Sequence, residues 1–116
     1  MKGNEKQLAI AEKYLDQMIA ADAARDYDAW LAPYDSNHPD SNFTKEYFEG
    51  DADEMLVEMG EYQSRVYLGC VKGDNKKLEG CLRFIWKGVY EKKEAIIVVG
   101  IHTRDGEWYA NEGMWH

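Results

Sequence analysis

The feature that most constrains this fold is a change in hydrophobic spacing at Gly60. Before Gly60, apolar residues recur every three or four positions, a spacing typical of amphipathic helices. After Gly60, β-branched and aromatic residues are separated by short polar turns, a pattern typical of antiparallel strands. The sequence therefore predicts an α+β fold, with N-terminal helices packed on the concave face of a curved antiparallel meander sheet.

Three helical segments are predicted before the change. The first covers residues 4–24 and has the clearest apolar stripe. This stripe consists of Leu8, Ala11, Leu15, Met18 and Ile19. Asp26 is expected to cap a short second helix whose aromatic stripe faces the core. A third helix begins near Thr44, and Gly50 is expected to interrupt it before a second piece starts at Asp51.

Four strands are predicted in the second half of the chain. They lie near residues 62–72, 78–90, 95–104 and 107–115. The pair Asp105-Gly106 is the strongest hairpin signal, because a type I′ turn needs positive φ at both central positions. Residues 91–94 and 74–76 are expected to form the other two turns. With 116 residues, the chain is predicted to be one domain spanning 1–116.

Pairing Arg104 with Glu107 assigns the side chains to the two faces of the sheet. Glu112 then lies opposite Val99 on the face toward the helices, where a carboxylate must find a partner or take up a proton. The outer face carries too many apolar groups to remain in water, and we predict that it forms a homodimer interface. Its residues are Tyr67, Ile85, Val89, Ile96, Val98, Tyr109 and Trp115.

The same alternation assigns Val66, Leu68 and Cys70 to the face toward the helices. Cys81 falls on the opposite face, so a bridge between the two cysteines would need a slipped or bulged hairpin. Both are therefore predicted to be free thiols.

Charge and hydropathy exclude several classes of partner. The chain has 14 Lys and Arg against 22 Asp and Glu, a formal net charge of −8. Such a charge should repel phosphate backbones and anionic lipid heads, so neither nucleic acid nor membrane is expected as a partner. No apolar run follows a basic start at residues 1–7, which favours a cytoplasmic protein. A secreted or periplasmic protein that has lost its leader is the alternative.

Two stretches resemble a known superfamily. Residues 11–21 followed by Asp26-Tyr27-Asp28-Ala29-Trp30-Leu31 resemble the first two helices of NTF2-like proteins, the SnoaL and ketosteroid-isomerase-like superfamily. Residues 59–69 and 84–90, with Asp105-Gly106-Glu107-Trp108, are similar to small bacterial NTF2/cystatin-like domains of unknown function. The resemblance implies a cone-shaped fold with a pocket, in a superfamily of isomerases, dehydratases and non-catalytic binding modules.

We interpret the chain as a non-catalytic domain of this type that binds a small hydrophobic ligand or another protein, with no cofactor. The predicted pocket residues are Tyr14, Trp30, Tyr34, Phe84, Trp86, Trp108 and Glu112. One alternative is a lyase or isomerase in which Tyr14 stabilises an oxyanion and Glu112 is the acid or base. A second alternative is an acidic immunity or inhibitor protein that binds a basic partner.

A metal site is not predicted. Asp35, Asn37, His38 and Asp40 offer oxygen and imidazole groups, but they lack the glycine and the distal glutamate of a calcium loop. A solvated turn explains this segment more simply.

Overall fold

The computed structural model describes residues 4–36, 42–73 and 77–116. Its helices are α1 (Glu5–Ala24), α2 (Tyr27–Leu31) and α3 (Lys45–Met59), and its strands are β1 (Tyr62–Lys72), β2 (Glu79–Tyr90), β3 (Glu94–Arg104) and β4 (Glu107–Trp115). The strands form an antiparallel sheet in the order β1-β2-β3-β4, which does not close on itself. The predicted α+β fold is confirmed.

The helices begin where the capping residues predict. The Asp26 side chain accepts a hydrogen bond from the backbone of Ala29, and Thr44 caps α3 in the same way. The predicted break at Gly50 is wrong, because α3 continues through it. Phe48 and Ala52 on either side are buried, and their packing offsets the roughly 1 kcal/mol that an interior glycine costs a helix. Within the described ranges, no helix is long and apolar enough to cross a membrane.

The hairpin between β3 and β4 confirms the predicted turn, and then departs from the predicted register. Asp105 and Gly106 have φ values of 54° and 81°. Arg104 pairs with Glu107, but a β-bulge follows Ala110, and it moves Glu112 from Val99 to Gly100. A one-residue insertion reverses the faces of all later side chains. The predictions that Glu112 faces the helices and that Trp115 faces outward are therefore wrong.

The pairing of β2 with β3 is offset by two residues from the prediction. Val89 pairs with Glu94, and Trp86 pairs with Ile97. Because side chains alternate with a period of two, this offset leaves every residue on its predicted face. Trp86 and Phe84 are fully buried against α1.

Strand β1 contains two irregularities, one of them between Tyr67 and Gly69. Tyr67 packs inward with its ring 5.9 Å from that of Trp86, so its prediction as an outer-face residue is wrong. Val66 and Leu68 point outward instead of inward and are 52% and 55% exposed. The bulge explains both reversals, because it breaks the alternation on which the face assignment rested.

The two cysteines are free thiols, as predicted. Cys70 packs against the core beneath the helices. Cys81 lies on the outer face, where its sulfur accepts a hydrogen bond from Asn111 at 3.4 Å. The predicted turn at 74–76 lies outside the described residues.

A short segment between α2 and α3 covers the free edge of β4, and we call residues 33–36 the edge strap. The backbone N–H of Ala110 donates to the carbonyl oxygen of Pro33 at 2.8 Å. Asp35 reaches the outer face and accepts hydrogen bonds from His102 Nε2 at 3.1 Å and Arg104 Nε at 2.9 Å. The strap therefore satisfies part of an edge that would otherwise be open to pairing.

Candidate functional site

A cavity of about 610 Å³ lies between α3, the end of α1 and the end of β4, and we call it the α3 cavity. Its volume is within the range of small-molecule sites. One ion pair and one hydrogen bond hold helix α3 over the cavity. The Arg25 guanidinium lies 2.8 Å from the Asp53 carboxylate, and Lys92 Nζ donates to the backbone oxygen of Val57.

Aromatic rings form much of the wall of the α3 cavity. The rings among the described lining residues are Trp30, Phe43, Tyr47, Phe48 and Trp115. Trp30 is at the centre of this group, with its ring 5.5 Å from Phe48 and 5.6 Å from Trp115. Tyr47 is 60% exposed, so it lies at the mouth. The rings bring large apolar surfaces to a small volume, against which an apolar ligand can pack.

A second cavity of about 370 Å³ lies beside the first, and the residues that line both cavities form a partition between them. The two cavities share Asp22, Met55 and Trp115 as lining residues. Trp115 is held in place because its Nε1 donates to the hydroxyl of Tyr90 at 2.7 Å. Burial raises the pKa of Tyr90 to about 12, so this hydroxyl stays protonated.

Asp22 is an ionisable group in the walls of both cavities. Burial raises the pKa of its carboxyl to about 6, and the negative charge of Asp51 acts in the same direction. Arg25 opposes this shift, but its guanidinium also donates to Asp53 and to the backbone oxygen of Asp22. A carboxyl that titrates close to neutral pH beside two cavities is typical of a functional group.

The structure places the predicted pocket residues in two groups. Trp30 lines the α3 cavity, whereas Phe84 and Trp86 are fully buried in the core. The Tyr14 hydroxyl donates to the backbone oxygen of Trp108 at 2.8 Å. Neither Tyr14 nor Trp108 is part of the lining of the α3 cavity.

Tyr34 belongs to the edge strap and packs on the core. A Cβ atom added to Gly113 would lie 2.8 Å from the Tyr34 hydroxyl oxygen, so a larger residue at this position would displace the Tyr34 side chain. Burial raises the pKa of Tyr34, and the charge of Glu112 acts in the same direction.

Glu112 is not in the cavity. Both of its carboxylate oxygens accept hydrogen bonds from Arg83, at 2.8 and 2.9 Å, on the outer face of the sheet. Tyr14 lies on the inner face, so the structure separates the two residues that the sequence offered as a catalytic pair. Arg83 holds the Glu112 carboxylate by a bidentate ion pair, which is a structural role.

Of the candidate metal ligands, only Asp35 lies within the described residues. Asn37, His38 and Asp40 lie outside the described residues, and Asp35 is bound by His102 and Arg104. Among the residues that the structure does describe, no group of three or more His, Cys, Asp or Glu side chains is placed to hold a metal ion.

No protein-family model matches this sequence, and neither a curated protein nor a solved structure gives a significant match. The site is therefore interpreted from its own geometry.

Sequence reasoning missed Asp22, although a signal for it exists. Ala11, Leu15, Met18 and Ala21 form the buried stripe of α1, and Asp22, four residues after Met18, lies at the edge of that stripe. A carboxylate on an apolar stripe indicates either a buried partner or a functional group. No comparable signal exists for Met55 or Phe43, because they line the cavity only where α3 packs over the end of the sheet.

Proposed function

We propose that this protein is a non-catalytic binding domain that holds a small ligand in the α3 cavity. The observation that carries the proposal is the cavity itself, which combines about 610 Å³ of space, a wall rich in aromatic rings and one carboxyl with a raised pKa. Sites for small molecules commonly have mostly apolar walls and a few polar groups that orient the ligand. The separation of Tyr14 from Glu112 favours binding over the isomerase alternative.

We also propose that residues 1–116 form a single NTF2-like domain. Three N-terminal helices followed by a four-strand antiparallel meander support this assignment, as does a cavity between helix and sheet. Fold alone does not determine chemistry in this superfamily, so the function rests on the cavity.

The test is uptake of a ligand from a total small-molecule extract of the source cells, measured by native mass spectrometry of the whole protein. We expect the wild type to form a complex with one ligand per chain. Met55→Trp should abolish this complex, because Met55 lines both cavities and the larger side chain would occupy space inside them. Circular dichroism should show that the variant remains folded.

The matched control is Val57→Trp on the same helix. Val57 is 73% exposed and does not line either cavity, so this variant should retain the complex. The proposal fails if the wild type takes up nothing from the extract. It also fails if Met55→Trp and the wild type bind equally well.

We further propose that two copies of the chain associate through the outer face of the sheet. Ile85, Val98 and Met114 form one apolar row across three strands. The charged side chains beside this row are already paired, Arg83 with Glu112 and Lys87 with Glu94 at 3.6 Å. Two such faces can therefore approach each other despite the net charge of −8.

Sedimentation tests the dimer. The wild type should sediment as a dimer at micromolar concentration. Stable interfaces typically bury about 1,600 Å² in total. Ile96→Lys should give monomers, because Ile96 is 41% exposed on this face. Val57→Lys places the same charge on α3 and should leave the dimer intact. A monomeric wild type, or dissociation by both variants, would refute the proposal.

A further inference from the structure

We infer that the α3 cavity selects an organic cation, namely an ammonium group attached to an aromatic or other apolar ring. This inference rests on the proposed function, because it names the class of ligand that the same cavity holds. It follows from three properties of the cavity wall: the position of its aromatic rings, the position of Asp22 and the balance of its charges.

An aromatic wall can attract a cation as well as an apolar ligand. An ammonium group is attracted to the face of an aromatic ring, most strongly to that of tryptophan, within about 6 Å of the ring centroid. Trp30 and Trp115 both line the cavity with ring centroids 5.6 Å apart. Phe43 and Tyr47 continue the wall toward the mouth, 5.9 Å from each other.

Asp22 supplies an anionic anchor at the inner end of the cavity. Asp22, Met55 and Trp115 line both cavities, so the carboxylate and the Trp115 ring belong to the same wall. Burial penalises this carboxylate when it is ionised, and an incoming cation would replace part of the solvation that burial removes. An anionic ligand would instead add to the penalty.

The remaining charges of the wall act in the same direction. Among the described lining residues, four carry carboxylates and one carries an ammonium group. The carboxylates belong to Asp22, Asp51, Glu54 and Glu58. The ammonium group of Lys93 lies 3.9 Å from a carboxylate oxygen of Glu58. The cavity therefore has a negative potential, which raises the local concentration of cations.

Three indole compounds of nearly equal shape test the inference at pH 7.5. Tryptamine carries an ammonium group, tryptophol a neutral hydroxyl and indole-3-acetate a carboxylate. Affinities are measured by isothermal titration calorimetry and by the chemical shifts of the tryptophan indole N–H groups. We expect tryptamine to bind at least tenfold more tightly than tryptophol, and indole-3-acetate to bind most weakly.

Two matched variants on α1 locate the selectivity. Asp22→Asn should lower the affinity for tryptamine severalfold, because Asp51, Glu54 and Glu58 remain in the wall, and should leave tryptophol binding unchanged. Asp16→Asn makes the same chemical change at an exposed position outside the cavity wall, where Asp16 pairs with Arg65. This control should retain the full preference for tryptamine.

The outcomes separate this inference from the proposed function. Equal binding of the three compounds, or binding of none of them, overturns the inference. A loss of tryptamine and tryptophol binding together in Asp22→Asn also overturns it, because Asp22 would then only maintain the shape of the cavity. The proposed function fails independently, when the wild type takes up no ligand from the cell extract.

Discussion

Asp35→Ala is expected to lower the free energy of unfolding by about 1 to 3 kcal/mol, the usual cost of removing a buried hydrogen-bond acceptor. The Asp35 side chain is 1% exposed and that of His102 is 2% exposed. Both carboxylate oxygens of Asp35 accept hydrogen bonds from Arg104, at 2.9 and 3.0 Å. Its removal leaves the His102 ring nitrogen without this acceptor in an environment that excludes water.

The hydrogen bonds around His102 indicate the form of its ring. Asn111 Nδ2 lies 3.0 Å from His102 Nδ1, which must accept, because the amide group has only protons to offer. His102 Nε2 then carries the proton and donates to Asp35. The buried network therefore depends on a carboxylate at position 35, and Asp35→Asn should also destabilise the fold.

Urea denaturation and amide hydrogen exchange test this prediction. The urea midpoint should fall without a change in the slope, and the Ala110 N–H should exchange faster because its acceptor, the Pro33 carbonyl, belongs to the loosened strap. Asp105→Asn is the control. Asp105 also contacts Arg104, at 3.6 Å, but is 88% exposed, so its replacement should leave the midpoint unchanged. Equal effects of the two variants would contradict the prediction.

Asp22→Asn is expected to stabilise the protein at pH 7.5, because it removes a charge that burial penalises. The expected gain is about 1 to 2 kcal/mol and no larger, since Asp22 is partly exposed and solvent screens its charge. The pKa of Asp22 is raised to about 6 in the folded protein, from 3.8 in its ordinary environment. Between these values the folded protein holds a proton that the unfolded chain has lost. Wild-type stability contributed by this group is thus complete at low pH and is lost as the pH rises through about 6.

The measurement is the difference in unfolding free energy between Asp22→Asn and the wild type, followed from pH 7.5 to 4.5. This difference should shrink as the pH falls, because the wild-type carboxyl then becomes neutral like the amide. Asp51→Asn is the control, since Asp51 is exposed and acts on Asp22 only through its charge. It should change stability in the same direction by a smaller amount. A destabilised Asp22→Asn at pH 7.5 would contradict the prediction.

The stability that Asp22 costs the folded protein agrees with a role in binding. Replacement of a functional carboxylate by a neutral group commonly stabilises a protein, because sites are organised for their ligands and not for the empty fold. The stability and the ligand preference of Asp22→Asn should therefore change together. The variant should gain stability and lose part of its preference for a cation.

Local chemistry accounts for what could be predicted from the sequence. Residues three and four apart fall on one face of a helix, so the apolar spacing in 4–24 predicted the buried stripe of α1. The Asp105-Gly106 turn predicted the hairpin and its pairing from Arg104 as far as Ile101 with Ala110, because a type I′ turn determines the register of the residues next to it. Each of these inferences involves residues close together in the chain.

Gly50 shows where local preference is overridden. Glycine disfavours a helix by roughly 1 kcal/mol, and the sequence therefore predicted a break. The tertiary structure buries Phe48 and Ala52 on the same helix, and this packing exists only when α3 lies against α1 and α2. The energy that decides the conformation of Gly50 thus comes from contacts that the local sequence does not contain.

By itself, the sequence determined the order of the elements, the α+β class and the position of the β3–β4 turn. Only the tertiary structure decided which face each side chain of β4 occupies beyond Ala110, because a bulge of one residue reverses the alternation. The bulge brings Trp115 against Trp30 and Tyr90 and places Glu112 beside Arg83. These partners are 25 or more residues away in the chain, so the cavity wall exists only after the helices and the sheet have packed together.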